Sequence, residues 1–148
     1  MQDHSMIDGL IGTFRELNAR VRPLPEDRLR IAGNSGGSVR DVIRRMKDSE
    51  LRFSQALKER ITGVSMPDMF GEDEAPVVGT EGEDDSTAVI LSQFGTARES
   101  TLAMLRTMPP DDWDIPVEGG KAVRVRVQEL VSNDRQQMER IVGLLGAP

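Results

Sequence analysis

Apolar residues recur at three- and four-residue spacing in four separate stretches, and proline or glycine follows each of the first three. That period lines up one face of an α-helix, and a helix with one apolar face must bury it against other elements. Met6, Leu10 and Phe14, with Ile7, Leu17 and Val21, predict a first helix from about Gln2 to Val21, stopped by Pro23 and Pro25. Val39, Val42, Ile43, Met46, Phe53, Leu57 and Ile61 predict a second over about 38–61. Val89, Ile90, Phe94, Ala97, Leu102, Leu105 and Met108 predict a third over about 86–108, ended by Pro109 and Pro110. Val127, Leu130, Val131, Met138, Ile141 and Leu145 predict a fourth over about 123–145.

Local signals sharpen these boundaries. Ser38 is a helix N-cap whose hydroxyl can accept from the amide of Asp41, and Asp41 stands where a capping-box acid belongs. Gly63 ends that helix, and Asp85 or Ser86 caps the next. Pro25-Glu26-Asp27-Arg28-Leu29 reads as a short helical turn. Gly33 to Gly37 reads as a simple loop rather than an anion cradle, because it lacks the P-loop lysine and spacing. Trp113, after the double proline, is expected to plug one end of the packed helices. Val123 to Val127 alternates with Arg124 and Arg126, which leaves the first turn there open between helix and extended chain.

The segment between the second and third helices has another character. From Gly63 to Asp85 it holds eight acids (Asp68, Glu72, Asp73, Glu74, Glu81, Glu83, Asp84, Asp85) and no Lys or Arg. Removing those eight negative charges from the formal −6 leaves the rest of the chain at +2. The segment has no periodicity and reads as a long crossover, disordered and solubilising, without an EF-hand pattern for calcium. Two helix pairs joined by one long connection predict an all-α, four-helix bundle in a single domain over 1–148.

Composition narrows function. Aromatics are only 3%, which suits packed helices better than a β-sandwich. There is no cysteine, so thiol chemistry has no residue to use, and the one histidine, His4, is far in sequence from any plausible Ser elbow, so no catalytic triad is expected. His4 is expected to be exposed near the start of the first helix. Arg22, Arg28 and Arg30, and Arg124 with Arg126, read as solvated helix ends rather than a nucleic-acid footprint. No stretch approaches the roughly 18 apolar residues of a membrane span, and Met1 to Leu10 does not read as a signal peptide. The expectation is a cytoplasmic protein without nucleic-acid or membrane partners.

Several fragments, taken in order, resemble the DinB/YfiT-like superfamily of bacterial four-helix bundles. They are Pro25-Glu26-Asp27-Arg28-Leu29, Ser38-Val39-Arg40-Asp41-Val42-Ile43, Asp48-Ser49-Glu50, Val127-Gln128-Glu129-Leu130, and Asn133-Asp134 with Glu139-Arg140-Ile141. The resemblance covers nearly the whole chain. It implies a bundle of the DinB-like type, a homodimer, stress-related roles, and a nickel or zinc ion on three histidines, one in the second helix and two in the fourth. Some members carry out thiol-dependent transfer or isomerisation. Matching the fragments sets Arg45 at the second-helix ligand position and Asn133 and Gln137 at the two fourth-helix positions. A guanidinium has no lone pair to offer a cation, and amide oxygens hold transition metals poorly beside imidazole. No metal or other cofactor is expected.

Asp134 lies on the apolar stripe of the fourth helix, and Gln137 flanks it; a carboxylate buried alone there would be costly. The expectation is that Arg45 enters the former metal pocket and bonds Asn133, Gln137 or Asp134 as a structural tie. An anion-binding pocket at the same residues is the alternative. Glu50, one turn beyond Met46, reads as a solvated partner rather than a catalytic acid, and borders that pocket. Leu10, Phe14 and Leu17 suit either the core or a dimer interface. The functional expectation is a metal-free, non-catalytic DinB-like protein that binds a small molecule or serves as a structural homodimer. The competing reading is a metal-dependent thiol transferase or hydrolase-like enzyme with an altered ligand set built on Asp134 and Glu50.

Overall fold

The computed structural model describes residues 2–33, 36–63, 85–117 and 120–146. The described residues are helical, with α1 over Gln2–Val21, a single turn α2 over Glu26–Leu29, α3 over Val39–Thr62, α4 over Thr87–Thr107 and α5 over Val123–Gly146. A 3₁₀ turn at Pro110–Asp114 follows α4. No strand occurs among these residues; Pro116 and Ala122 make one isolated bridge just before α5. None of the helices is long and apolar enough to cross a membrane. The acid-rich crossover expected over 63–85 lies outside the described residues except at its two ends.

The ends of the helices follow the sequence signals. Ser38 Oγ accepts from the Asp41 amide at 3.2 Å while the Asp41 carboxylate accepts from the Ser38 amide at 3.0 Å, a complete capping box. Gly63 closes α3 at φ +74°, a left-handed conformation that side chains rarely adopt. Ser86 caps α4 by accepting from Val89 N. A second group reaches the same end: both Glu26 carboxylate oxygens accept from the Thr87 amide, at 2.9 and 2.8 Å, and Oε2 also accepts from the Thr87 hydroxyl. Burial works against that carboxylate, yet the Thr87 bonds and Arg30 outweigh it and hold its pKa below the usual value. Two residues along, Arg28 donates to the Leu145 carbonyl at 2.9 Å, where α5 leaves a carbonyl without a helical partner. The short α2 thus fastens the start of α4 to the end of α5. The first turn of α5 is helical, which settles the alternation at Val123 to Val127.

Two core clusters set the helix directions. One joins Leu17 and Val21 of α1, Val39 to Met46 of α3, Ile90 to Phe94 of α4, and Met138 and Ile141 of α5. The other joins Met6 and Leu10, Phe53 and Leu57, Leu102 and Leu105, and Val123 to Leu130, with Trp113 closing that end. So α1 and α5 run one way, and α3 and α4 run the other. The parallel pair α3 and α4 is laced by Arg40, whose guanidinium donates to the Asp85 carbonyl at 2.8 and 3.2 Å, and by Ser54 donating to Ser100 at 3.3 Å. Where α1 meets α4, Phe14 packs against Phe94 with ring centres 5.8 Å apart, and Gly95 makes room: a Cβ there would lie 2.5 Å from Phe14 Cζ.

Two expected core residues are not in the core. Ile61 is 52% exposed and Val89 is 43% exposed. Ile61 sits in the last turn of α3, and Val89 lies off the face on which Thr87, Ile90 and Leu91 are buried. Leu10 and Leu17 are fully buried, and Phe14 packs on the core, so all three serve the interior.

Candidate functional site

All four long helices meet at one interior point, the guanidinium of Arg98. Arg98 lies on α4 four residues from Phe94 and four from Leu102, on the apolar stripe, so the helix aims it at the core. Its Nη1 donates to the Leu10 carbonyl of α1 and to Asp134 Oδ2 of α5, both at 2.9 Å. Its Nη2 donates to Asp134 Oδ1 at 3.0 Å and to Glu50 Oε1 of α3 at 2.9 Å. Arg98 and Glu50 are 0% exposed and Asp134 is 2% exposed. The guanidinium also lies 4.9 Å from the centre of the Phe94 ring, within cation–π range.

The electrostatics follow from burial. Loss of water favours a neutral arginine, but Asp134 and Glu50 reverse that and raise its pKa above the ordinary value. The pair with Asp134 is a two-pronged, charge-assisted contact, the strongest geometry that these groups allow. Two carboxylates face one guanidinium, and Glu50 Oε2 and Arg98 Nε have no hydrogen-bond partner despite being buried. Such a cluster adds less net stability than its close distances suggest, because removing three charges from water costs several kcal/mol per ion. Its larger effect is on register: four helices are pinned at one level. Chemically, it is closed to solvent, and Arg98 occupies both oxygens of Asp134 and one of Glu50.

The expected residues are placed as follows. Asp134 is buried and paired, but with Arg98 rather than Arg45. Arg45 is exposed, which corrects the expectation that it enters the interior. Its position diverges from the stripe of Val42, Met46 and Glu50, and a long cation reaches water from there without desolvation. It sits one turn after Asp41 and helps the Ser38 amide, the larger influence, to lower the pKa of that carboxyl. Glu50 is a second correction: it is fully buried, not solvated. It continues the stripe of Ile43 and Met46 toward Phe53. Asn133 and Gln137 are half-buried and pair with each other, Gln137 Nε2 donating to Asn133 Oδ1 at 3.3 Å. His4 is exposed, and Trp113 is 2% exposed in the core.

These residues do not fit the metal that the resemblance implies. Arg45 brings a charge and no lone pair, Asn133 Oδ1 already accepts from Gln137, and both oxygens of Asp134 are held by Arg98. Among the described residues no group of three His, Cys, Asp or Glu side chains is arranged to hold an ion.

Arg98 is the residue that the periodicity reading passes over. The signal was available: a cation on an apolar stripe of α4 is the counterpart of the carboxylate on the stripe of α5. No family model, no curated protein and no solved structure matches the chain.

Proposed function

We propose that this protein is a DinB-like four-helix bundle that has lost the family's metal and acts without catalysis, as a small-ligand-binding or structural homodimer with a stress-related role. The observation that carries the reading is the Arg98 cluster. The interior position where a bundle would assemble reactive side chains is sealed, and it holds an ion network joining all four helices. The directions of α1, α3, α4 and α5 support the bundle. Because α3 and α4 run the same way, the end of α3 and the start of α4 lie at opposite ends of the helices, roughly 36 Å apart at 1.5 Å per residue. The residues from Gly63 to Asp85 are numerous enough to span that as a crossover.

The rival reading, a metal-dependent thiol transferase or hydrolase-like enzyme using Asp134 and Glu50, would require an ion to displace a guanidinium from its bidentate partner. Elemental analysis tests the choice. Purified, tag-free protein is incubated with nickel, zinc and manganese and then desalted. Far less than one equivalent of each metal is expected; one equivalent retained overturns the metal-free reading. Sedimentation equilibrium tests the homodimer, with twice the chain mass expected and a monomer at every concentration overturning it.

A further inference from the structure

The face formed by α1 and α4 lies across the molecule from Arg45, Asn133 and Gln137, and it carries a different feature. Between the start of α1 and the end of α4 is a cleft of about 550 Å³, within the size range of small-molecule sites. Its floor is apolar: Ile7, Leu105 and Trp113 line it and are otherwise buried. Its rim carries His4, Asp8 and Arg106, all exposed. Asp8 and Arg106 have opposite charges and border the same cleft, yet neither side chain makes a hydrogen bond or ion pair among the described residues.

The helix register separates the two charges. Arg98 bonded to the Leu10 carbonyl, and Phe14 against Phe94, fix α1 antiparallel to α4. Two turns beyond Arg98, Arg106 comes level with the first turn of α1, beside His4. Asp8 sits one turn deeper, about 5–6 Å along the axis. One end of the cleft therefore offers hydrogen-bond donors, the other an acceptor, with hydrocarbon beneath both.

We propose that this cleft binds a small zwitterion with an apolar body, an α-amino acid with an aliphatic or aromatic side chain. Its carboxylate meets the planar guanidinium of Arg106 and the His4 ring, its ammonium meets Asp8, and its side chain lies against Ile11, Met108 and Pro110, above the buried Trp113. A lone anion would find Asp8 unfavourable, and a lone cation would find Arg106 so. The site lies apart from the former metal position and does not rest on the family reading, so metal content and oligomeric state leave it untouched.

Trp113 supplies the readout, because it is the only tryptophan and its indole N–H gives a single peak in a nitrogen–proton correlation spectrum. The full-length protein is titrated with L-leucine, with isocaproate, which lacks the ammonium, and with isopentylamine, which lacks the carboxylate. The expected result is a saturable shift with leucine at a dissociation constant of about 1 mM, and binding about tenfold weaker for each analogue. Arg106→Gln should erase the preference for leucine over isopentylamine. Asp8→Asn should erase the preference over isocaproate. Both substitutions lie on the surface, and the remaining peaks report that the fold is intact. No shift at about 50 mM leucine, equal binding of the three probes, or preferences unchanged in both variants would overturn the proposal.

Discussion

Arg98 and Asp134 meet through two parallel hydrogen bonds, Nη1 to Oδ2 at 2.9 Å and Nη2 to Oδ1 at 3.0 Å, with both side chains buried. The contact joins α4 to α5 where an apolar pair would ordinarily pack. Its consequence is asymmetric. Removing the guanidinium leaves two carboxylates in the core with no counter-charge, which is far costlier than never having had the cluster.

Arg98→Met should therefore destabilise the fold by about 3–5 kcal/mol, read as a lowered urea midpoint. Replacing all three residues together, Arg98→Met with Glu50→Leu and Asp134→Leu, should recover most of that loss, because no unpaired charge remains. A triple variant no more stable than Arg98→Met would show that the cluster stabilises by more than mutual neutralisation.

The two carboxylates are not equivalent. Asp134 accepts twice from Arg98, while Glu50 accepts once and its Oε2 has no partner. Asp134→Asn should cost about 2–3 kcal/mol, since one oxygen becomes a donor facing a donor. Glu50→Gln should stay within about 1 kcal/mol of the parent, because its amide oxygen still accepts the one bond and the cluster becomes neutral. Denaturation curves showing the reverse order would contradict this account.

Much of the frame was legible in the sequence. The helix intervals came from apolar period, and the caps came from Ser38, Asp41, Gly63 and the choice of Asp85 or Ser86, because those features depend on residues close in the chain. The polar centre was half legible. Asp134 announced itself by sitting on an apolar stripe, and the same stripe logic applies to Glu50 and Arg98. Choosing its partner required knowing which of several arginines shares its level, and that depends on helices far apart in sequence. Arg45 had the local position but a face turned to water. Glu26 shows the same limit: its turn could be read from Pro25, but its role at the start of α4 depends on residues 61 positions apart.

Gly95 gives a packing prediction. A methyl there would approach Phe14 Cζ at 2.5 Å, closer than carbon atoms tolerate, and Phe14 is held between α1 and the Phe94 ring. Gly95→Ala gains helix propensity of roughly 1 kcal/mol but incurs overpacking of about 1–3 kcal/mol, so the net effect should be destabilising. Adding Phe14→Leu shortens the opposing side chain, and the double variant should be more stable than the two single effects combined predict. A double-mutant cycle without coupling would remove the contact from the argument.

Asp41 yields a pH dependence whose sign can be stated. The Ser38 amide, chiefly, holds its folded pKa below the usual 3.8. A carboxyl with a depressed folded pKa contributes stability that is fully present above the unfolded value and is lost as pH falls through the folded one. Asp41→Asn should cost about 0.3–1 kcal/mol at neutral pH, the usual range for a negative charge near a helix N-terminus. The gap between parent and variant should hold down to about pH 5 and then narrow as Asp41 protonates. Urea unfolding of the two proteins between about pH 7 and pH 2 measures this directly. A gap that stays constant across that range would mean the side chain caps by shape rather than by charge.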